Sequence, residues 1–265
     1  MPERLKAPDG FVDLASQRLE YAYLPPPENG DGTVLVFLHE GLGCVEMWRD
    51  FPARLAQRTA CGYFIFSRLG YGRSDPVALP RRPSFMHEEA LGTLPRLLEH
   101  CEFSRCVLVG HSDGATIALL NAALAPAREL TGVAVMAPHV FVEPVTVQAI
   151  EQAANAYRET NLRAQLARYH GERVDGAFWG WNQVWRDASF ANWNIESELK
   201  SVNVPLLLVQ GHDDAYGTMA QLDRIERRVS VPVQRVELEN CGHSPFRERV
   251  ELTLEHLARF IHALR

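Results

Sequence analysis

The sequence has no excess of basic residues, no long apolar run and no paired-cysteine motif, and each absence removes a class of function. Lys and Arg number 27 against 33 Asp and Glu over 265 residues, a formal charge of −6. Nucleic acid calls for a basic stripe and an anionic membrane surface for basic clusters, so neither partner is expected. No apolar stretch approaches the ~20 residues that span a bilayer. The longest, Ala115 to Ala125, is interrupted by Thr116 and Asn121. The five cysteines, Cys44, Cys61, Cys101, Cys106 and Cys241, include no Cys-x-x-Cys pair. The start, Met1-Pro2-Glu3-Arg4, lacks the basic and apolar regions of a signal peptide. Free thiols in a reducing cytoplasm are the expectation.

Cofactor and metal motifs are missing too. Gly41-x-Gly43 after an apolar run resembles the opening of a dinucleotide fingerprint, but Glu46 stands at the third glycine position. No acidic residue ends the next run, so the ribose contact is absent as well. No Gly-Lys-Ser/Thr phosphate loop occurs. His39-Glu40 and His87-Glu88 lack the second histidine of a zinc helix, and no Cys/His cluster has zinc spacing. No cofactor and no metal are expected.

What is present is rhythm. Apolar runs recur at Thr33–Leu38, Gly62–Ser67, Cys106–Gly110, Gly132–Ala137 and Pro205–Gln210, with a more alternating one at Val233–Leu238. Continuous hydrophobicity marks strands covered on both faces, as in a parallel sheet. Helical patterns lie between and after them at Glu46–Arg58, Ser84–His100, Ser112–Ala125, Thr218–Arg228 and Arg247–His262. Such alternation predicts an α/β fold with a doubly wound, mostly parallel sheet flanked by helices. Gln17–Leu24 reads as an antiparallel edge hairpin preceding the parallel strands. Residues 140–201 break the rhythm: they hold no strand candidate, two helical patterns (Val145–Tyr157 and Asn161–His170) and Trp179, Trp181, Trp185 and Trp193. At about 60 residues this is too long for a simple crossover and reads as a helical lid. The expected division is a core of 1–139 and 202–265 with an insertion of 140–201.

The chemistry centres on Gly110-His111-Ser112-Asp113-Gly114, a G-x-S-x-G between a strand and a helix. That context puts the serine on a strained turn, with its hydroxyl clear of the sheet and a helix N-terminus beneath it. A serine needs a base, and a base needs an acid. Gly211-His212-Asp213-Asp214 follows one strand and offers two carboxylates. Asn240-Cys241-Gly242-His243 follows the next strand. All three loops fall at one edge of the sheet. Among the other histidines, His111 is expected inside, His212 in a solvated turn, and His170, His256 and His262 on helix surfaces. His139 follows a strand at the active edge and is a candidate for the pocket wall.

These residues resemble the α/β-hydrolase fold family over essentially the whole chain. His39-Glu40-Gly41-Leu42-Gly43 is similar to the family's H-G-x-x-G loop, and Arg68-Leu69-Gly70-Tyr71-Gly72-Arg73-Ser74 to its R-x-G-x-G-x-S turn. The resemblance implies a triad of Ser112, Asp214 and His243, favouring Asp214 over Asp213. It also implies an oxyanion hole of the Gly41 and Asp113 N–H groups and a cap at Val140–Ser201. Glu40 departs from the usual first glycine, and Ser67 replaces an acid that often precedes Arg68. With serine rather than aspartate as nucleophile, the implied activity is a cofactor-free serine hydrolase of carboxylesterase type. It would act through an acyl-enzyme on a small ester, thioester or lactone. The alternatives are a C–C bond hydrolase, an acyltransferase or lyase on the same triad, and a non-catalytic small-molecule receptor. Trp181 and Trp185, four apart, read either as cap core or, with Met136, His139, Phe141 and Tyr216, as an aromatic wall for an apolar or aromatic acyl group.

Overall fold

The computed structural model describes residues 8–15 and 17–265; the start Met1–Arg4 lies outside them. The segment expected to be a hairpin is a single strand, β2 (Gln17–Leu24); the hairpin is made with β1 (Asp9–Leu14) before it, and β2 also pairs antiparallel with β4. β3 (Thr33–Leu38), α1 (Phe51–Thr59) and β4 (Gly62–Phe66) follow. Next come α2 (Phe85–Glu88), a π turn at Glu89–Thr93 and α3 (Leu94–Cys101). β5 (Arg105–His111), α4 (Asp113–Leu124) and β6 (Leu130–Met136) complete the middle of the sheet. α5 (Pro144–Glu159), α6 (Leu162–His170) and α7 (Val174–Arg186) make the insertion. The chain ends with β7 (Leu206–Gly211), α8 (Ala220–Arg228), β8 (Val233–Leu238), α9 (Pro245–Glu248) and α10 (Val250–Ala263).

The eight strands run in the order β1-β2-β4-β3-β5-β6-β7-β8, parallel from β4 onward. The order reverses between β3 and β5, which opens the crevice at the strands' carboxyl ends where ligands bind in such sheets. All six residues of β3 are buried. Val34, Val36 and Leu38 join the core cluster that includes α4, while Leu35 and Phe37 join the one under α1 and α10. Two covered faces explain why this strand reads as an unbroken apolar run. α4 lies between the sheet and other helices and is buried nearly all round.

Three of the expected helices differ in course from their sequence patterns. The helix expected at Glu46–Arg58 is a 3₁₀ turn, Glu46–Trp48, followed by α1, because Arg49 takes a positive φ of 53° that no helix continues through. The helix expected at Arg247–His262 breaks at Arg249, whose φ of −130° and ψ of 52° leave the helical region. The π turn sits just before Pro95, whose missing N–H removes a regular helix bond there.

All five cysteines are free and buried. Among the described residues no helix is long and apolar enough to cross a membrane.

Candidate active site

Ser112 sits between β5 and α4 with φ 53° and ψ −120°, a conformation an L-residue adopts only under constraint. The constraint is close packing. A Cβ on Gly114 would collide with the backbone of Leu38 and His39, so the helix start lies directly against the end of β3. Asp113 is the first residue of α4, and its N–H is among those a helix leaves without an internal partner.

The structure brings the three predicted side chains into one hydrogen-bonded chain. Ser112 Oγ lies 2.9 Å from His243 Nε2. His243 Nδ1 lies 2.9 Å from both carboxylate oxygens of Asp214. A carboxylate only accepts, so Nδ1 carries the proton and Nε2 is left to accept from the serine hydroxyl. Asp214 also accepts from Gln210 Nε2 at 2.6 Å and from the Tyr216 N–H at 2.8 Å. Burial opposes charge on Asp214, but His243 and the Tyr216 N–H hold its carboxyl below the usual range. Asp213 points to solvent. His111 is buried, and its Nε2–H donates to the carbonyl of His243 at 2.7 Å, tethering that loop to the elbow.

The loop after β3 turns back on itself, the Gly43 N–H donating to the Glu40 carbonyl at 3.1 Å. His39 Nδ1 donates to the same oxygen at 2.7 Å and Arg68 Nη2 at 3.0 Å. Across a trans peptide the N–H points opposite to the C=O. The Gly41 N–H is therefore turned away from this cluster of donors. Gly41 and Asp113 both line the cavity beside Ser112. A Cβ on Gly41 would run into the indole of Trp181, so glycine is required here rather than at position 40. Glu40 instead sends its carboxylate toward His111 Nδ1 (3.5 Å) and Arg247 (3.8 Å). Burial works against its charge, but these neighbours outweigh it and keep the carboxyl well below its ordinary value.

The cavity holds about 240 Å³. Of the expected wall, His139, Trp181, Trp185 and Tyr216 line it and Met136 and Phe141 do not, Met136 being packed in the core under α1 and α10; Leu42, Met47, Thr146, Ile150 and Leu166, which sequence reasoning did not single out, line it as well. Trp181 and Trp185 are both buried, so they serve the insertion's packing and the wall at once. Burial and the neighbouring His243 push the His139 imidazole down to about 3, so it is neutral. A larger open groove of about 1020 Å³, between the Asp75–Arg82 loop and the α2–α3 helical run, contains none of the predicted side chains.

His170, expected at the surface, is buried. Its Nδ1 accepts from the Gly72 N–H at 3.0 Å and its Nε2–H donates to the Leu42 carbonyl at 3.0 Å. The last residue of α6 thus ties the insertion to two loops of the core. Asp113 is likewise more than a helix start. Its Oδ1 accepts from the Trp185 indole at 3.1 Å, and its Oδ2 lies 3.7 Å from Arg68 Nη2. The acid missing at Ser67 is supplied from β2. Glu20 accepts from Ser67 Oγ at 2.8 Å, from the Arg73 N–H at 2.8 Å and from Arg73 Nε at 2.7 Å.

The alpha/beta hydrolase family model matches residues 35–255. The chain belongs to the alpha/beta hydrolase family. Its curated relatives include an sn-1-specific diacylglycerol lipase of Danio rerio, 31% identical over 97 residues, 37% of this chain and 29% of that protein. A (lyso)-N-acylphosphatidylethanolamine lipase of Homo sapiens is 31% identical over 109 residues, 41% of this chain and 31% of that protein. The aligned part thus spans about a third of the length of these relatives. Among solved structures, the enol-lactonase from Burkholderia xenovorans superimposes with a TM-score of 0.74 at 17% identity, covering 96% of this chain and 100% of that one. This alpha/beta hydrolase therefore shares the complete fold with proteins from which its sequence has diverged widely. Among its described residues no group of three or more His, Cys, Asp or Glu could hold a metal ion.

Proposed function

We propose that this chain is a cofactor-free serine hydrolase for small, uncharged carboxylic esters, with residues 140–201 as its cap. The observation that carries the reading is the hydrogen-bonded chain Ser112–His243–Asp214 at the wall of an apolar cavity. Ser112 Oγ attacks the acyl carbon while its proton passes to His243 Nε2, and Asp214 stabilises the imidazolium. The Gly41 and Asp113 N–H groups receive the negative charge of the tetrahedral oxygen. His243 returns its proton to the leaving alcohol, and the acyl-enzyme forms. Water, deprotonated by the same imidazole, attacks the acyl-enzyme and releases the acid. Two relatives named as lipases fit acyl-ester chemistry.

The lining also sorts acyl groups. It carries Leu42, Ile150, Leu166, Trp181, Trp185 and Tyr216 but no Arg or Lys, and Glu40 and Asp113 are its only acidic residues. A substrate carboxylate inside would be buried without a cationic partner, which is costly. This weighs against the C–C hydrolase alternative, whose dienone-type acids carry such a group. The free, buried thiols fit a reducing cytoplasmic compartment. The test compares p-nitrophenyl hexanoate with mono-p-nitrophenyl adipate, near-isosteric acyl groups that differ by a charge. The expected kcat/KM for the adipate is lower by on the order of 10²-fold. Equal rates would overturn the charge selection, and turnover of neither ester would count against the hydrolase.

A further inference from the structure

Arg68 stands behind the elbow, outside the triad and outside the cavity lining. Its side chain is completely buried. Its Nη2 donates to the Glu40 carbonyl at 3.0 Å and lies 3.7 Å from Asp113 Oδ2. These contacts fall on the two segments whose N–H groups are the proposed oxyanion donors, both lining the cavity beside Ser112. The Glu40–Gly41 peptide presents one N–H at the end opposite to the carbonyl that Arg68 grips. Asp113 presents the other, and Arg68 faces its side chain.

We propose that Arg68 is a positioning residue that sets both arms of the oxyanion hole and strengthens the Gly41 donor. This rests on the serine-hydrolase reading above. A carbonyl that accepts from a cation leaves its own amide more polarised, and hydrogen bonds in such a chain reinforce each other. His39 completes the grip. The Arg68 N–H donates to His39 Nε2 at 3.0 Å, which leaves the proton on Nδ1, and Nδ1 donates to the Glu40 carbonyl. One residue thus acts twice on a single peptide, through its guanidinium and, by way of His39, through its backbone. The guanidinium is held in turn by the Tyr71 ring, 4.9 Å from its carbon. The Asp113 carboxylate is fixed from the other side by the Trp185 indole. A lysine offers a single ammonium and no plane to stack on Tyr71, so it cannot reproduce this geometry.

The test compares Arg68→Gln and Arg68→Lys with the native chain in kcat and KM for p-nitrophenyl butyrate. It also compares their affinity for butylboronic acid, which forms a tetrahedral anion on a catalytic serine. A positioning role predicts that kcat falls by on the order of 10²-fold with KM within about threefold, as for loss of an oxyanion donor. Boronate affinity should fall in parallel with kcat, and Arg68→Lys should restore only a small part. Unchanged kcat in folded variants, or equal losses in kcat and in ground-state binding, would overturn the proposal. Should both variants fail to fold, Asp113→Asn decides. It keeps an acceptor for Trp185 and removes the charge facing Arg68, so a kcat drop of roughly tenfold at constant KM is expected, and no drop overturns the proposal. If the native chain forms no covalent adduct with a fluorophosphonate at Ser112, the underlying hydrolase reading fails instead, a result separate from any effect of these variants.

Discussion

Gly41 meets two demands at once: it lines the cavity, where its N–H is the proposed oxyanion donor, and its missing side chain admits the indole of Trp181. Glu40 departs from the first glycine of an H-G-x-x-G loop, and the packing accommodates it. Position 40 has room for a side chain and position 41 has none. Gly41→Ala should therefore cost at least tenfold in kcat for p-nitrophenyl butyrate, since the Cβ must displace either the peptide or the indole. Adding Trp181→Ala should recover part of that loss, a non-additivity expected of residues in contact. Kinetics on the two single variants and the double variant measure it. Equal kcat in Gly41→Ala and the native chain would mean that the loop relaxes freely.

At the scale of elements, α7 is tied to the elbow by one hydrogen bond, from the Trp185 indole to Asp113. Trp185→Phe removes the donor and strands a buried carboxylate oxygen, which should lower stability by about 1–3 kcal/mol. Urea unfolding of the two proteins checks this through the midpoint at constant m-value. The elements themselves were legible in sequence where one physical cause dominated. β3 reads as a strand because both its faces are buried, and Ser112 reads as an elbow because its glycine neighbours meet backbone. What was not legible depends on contacts between distant segments. Nothing near His170 announces that its ring bridges Gly72 and Leu42. Nothing in β2 announces that Glu20 supplies the acid missing at Ser67. The position of Arg68 on a loop turn was readable, but its reach to Glu40 and Asp113 required the fold.

Across the whole molecule, three histidines are buried with lowered pKa values: His39, His139 and His170. Burial is the leading cause in each. Each is neutral when folded and titrates near 6.5 when unfolded, so the unfolded chain binds more protons as pH falls. Their contribution is complete above pH ~6.5 and declines below it until each folded pKa is reached. Stability should therefore drop with acid earlier than carboxylates alone would cause, by up to about 1.4 kcal/mol per pH unit for each histidine. For His139 the loss continues down to its folded pKa of about 3. Unfolding free energies from pH 7.5 to 4.5 test this, and His139→Phe should flatten the slope by one such increment.

In the proposed reaction Ser112 is the nucleophile and His243 activates it. The most direct measurement is mass-spectrometric mapping of a fluorophosphonate adduct on the intact native chain, repeated with Ser112→Ala and His243→Ala. One adduct is expected, located on Ser112, absent from Ser112→Ala and formed far more slowly in His243→Ala. An unlabelled Ser112 in the folded protein, or an adduct that persists in Ser112→Ala, would contradict it.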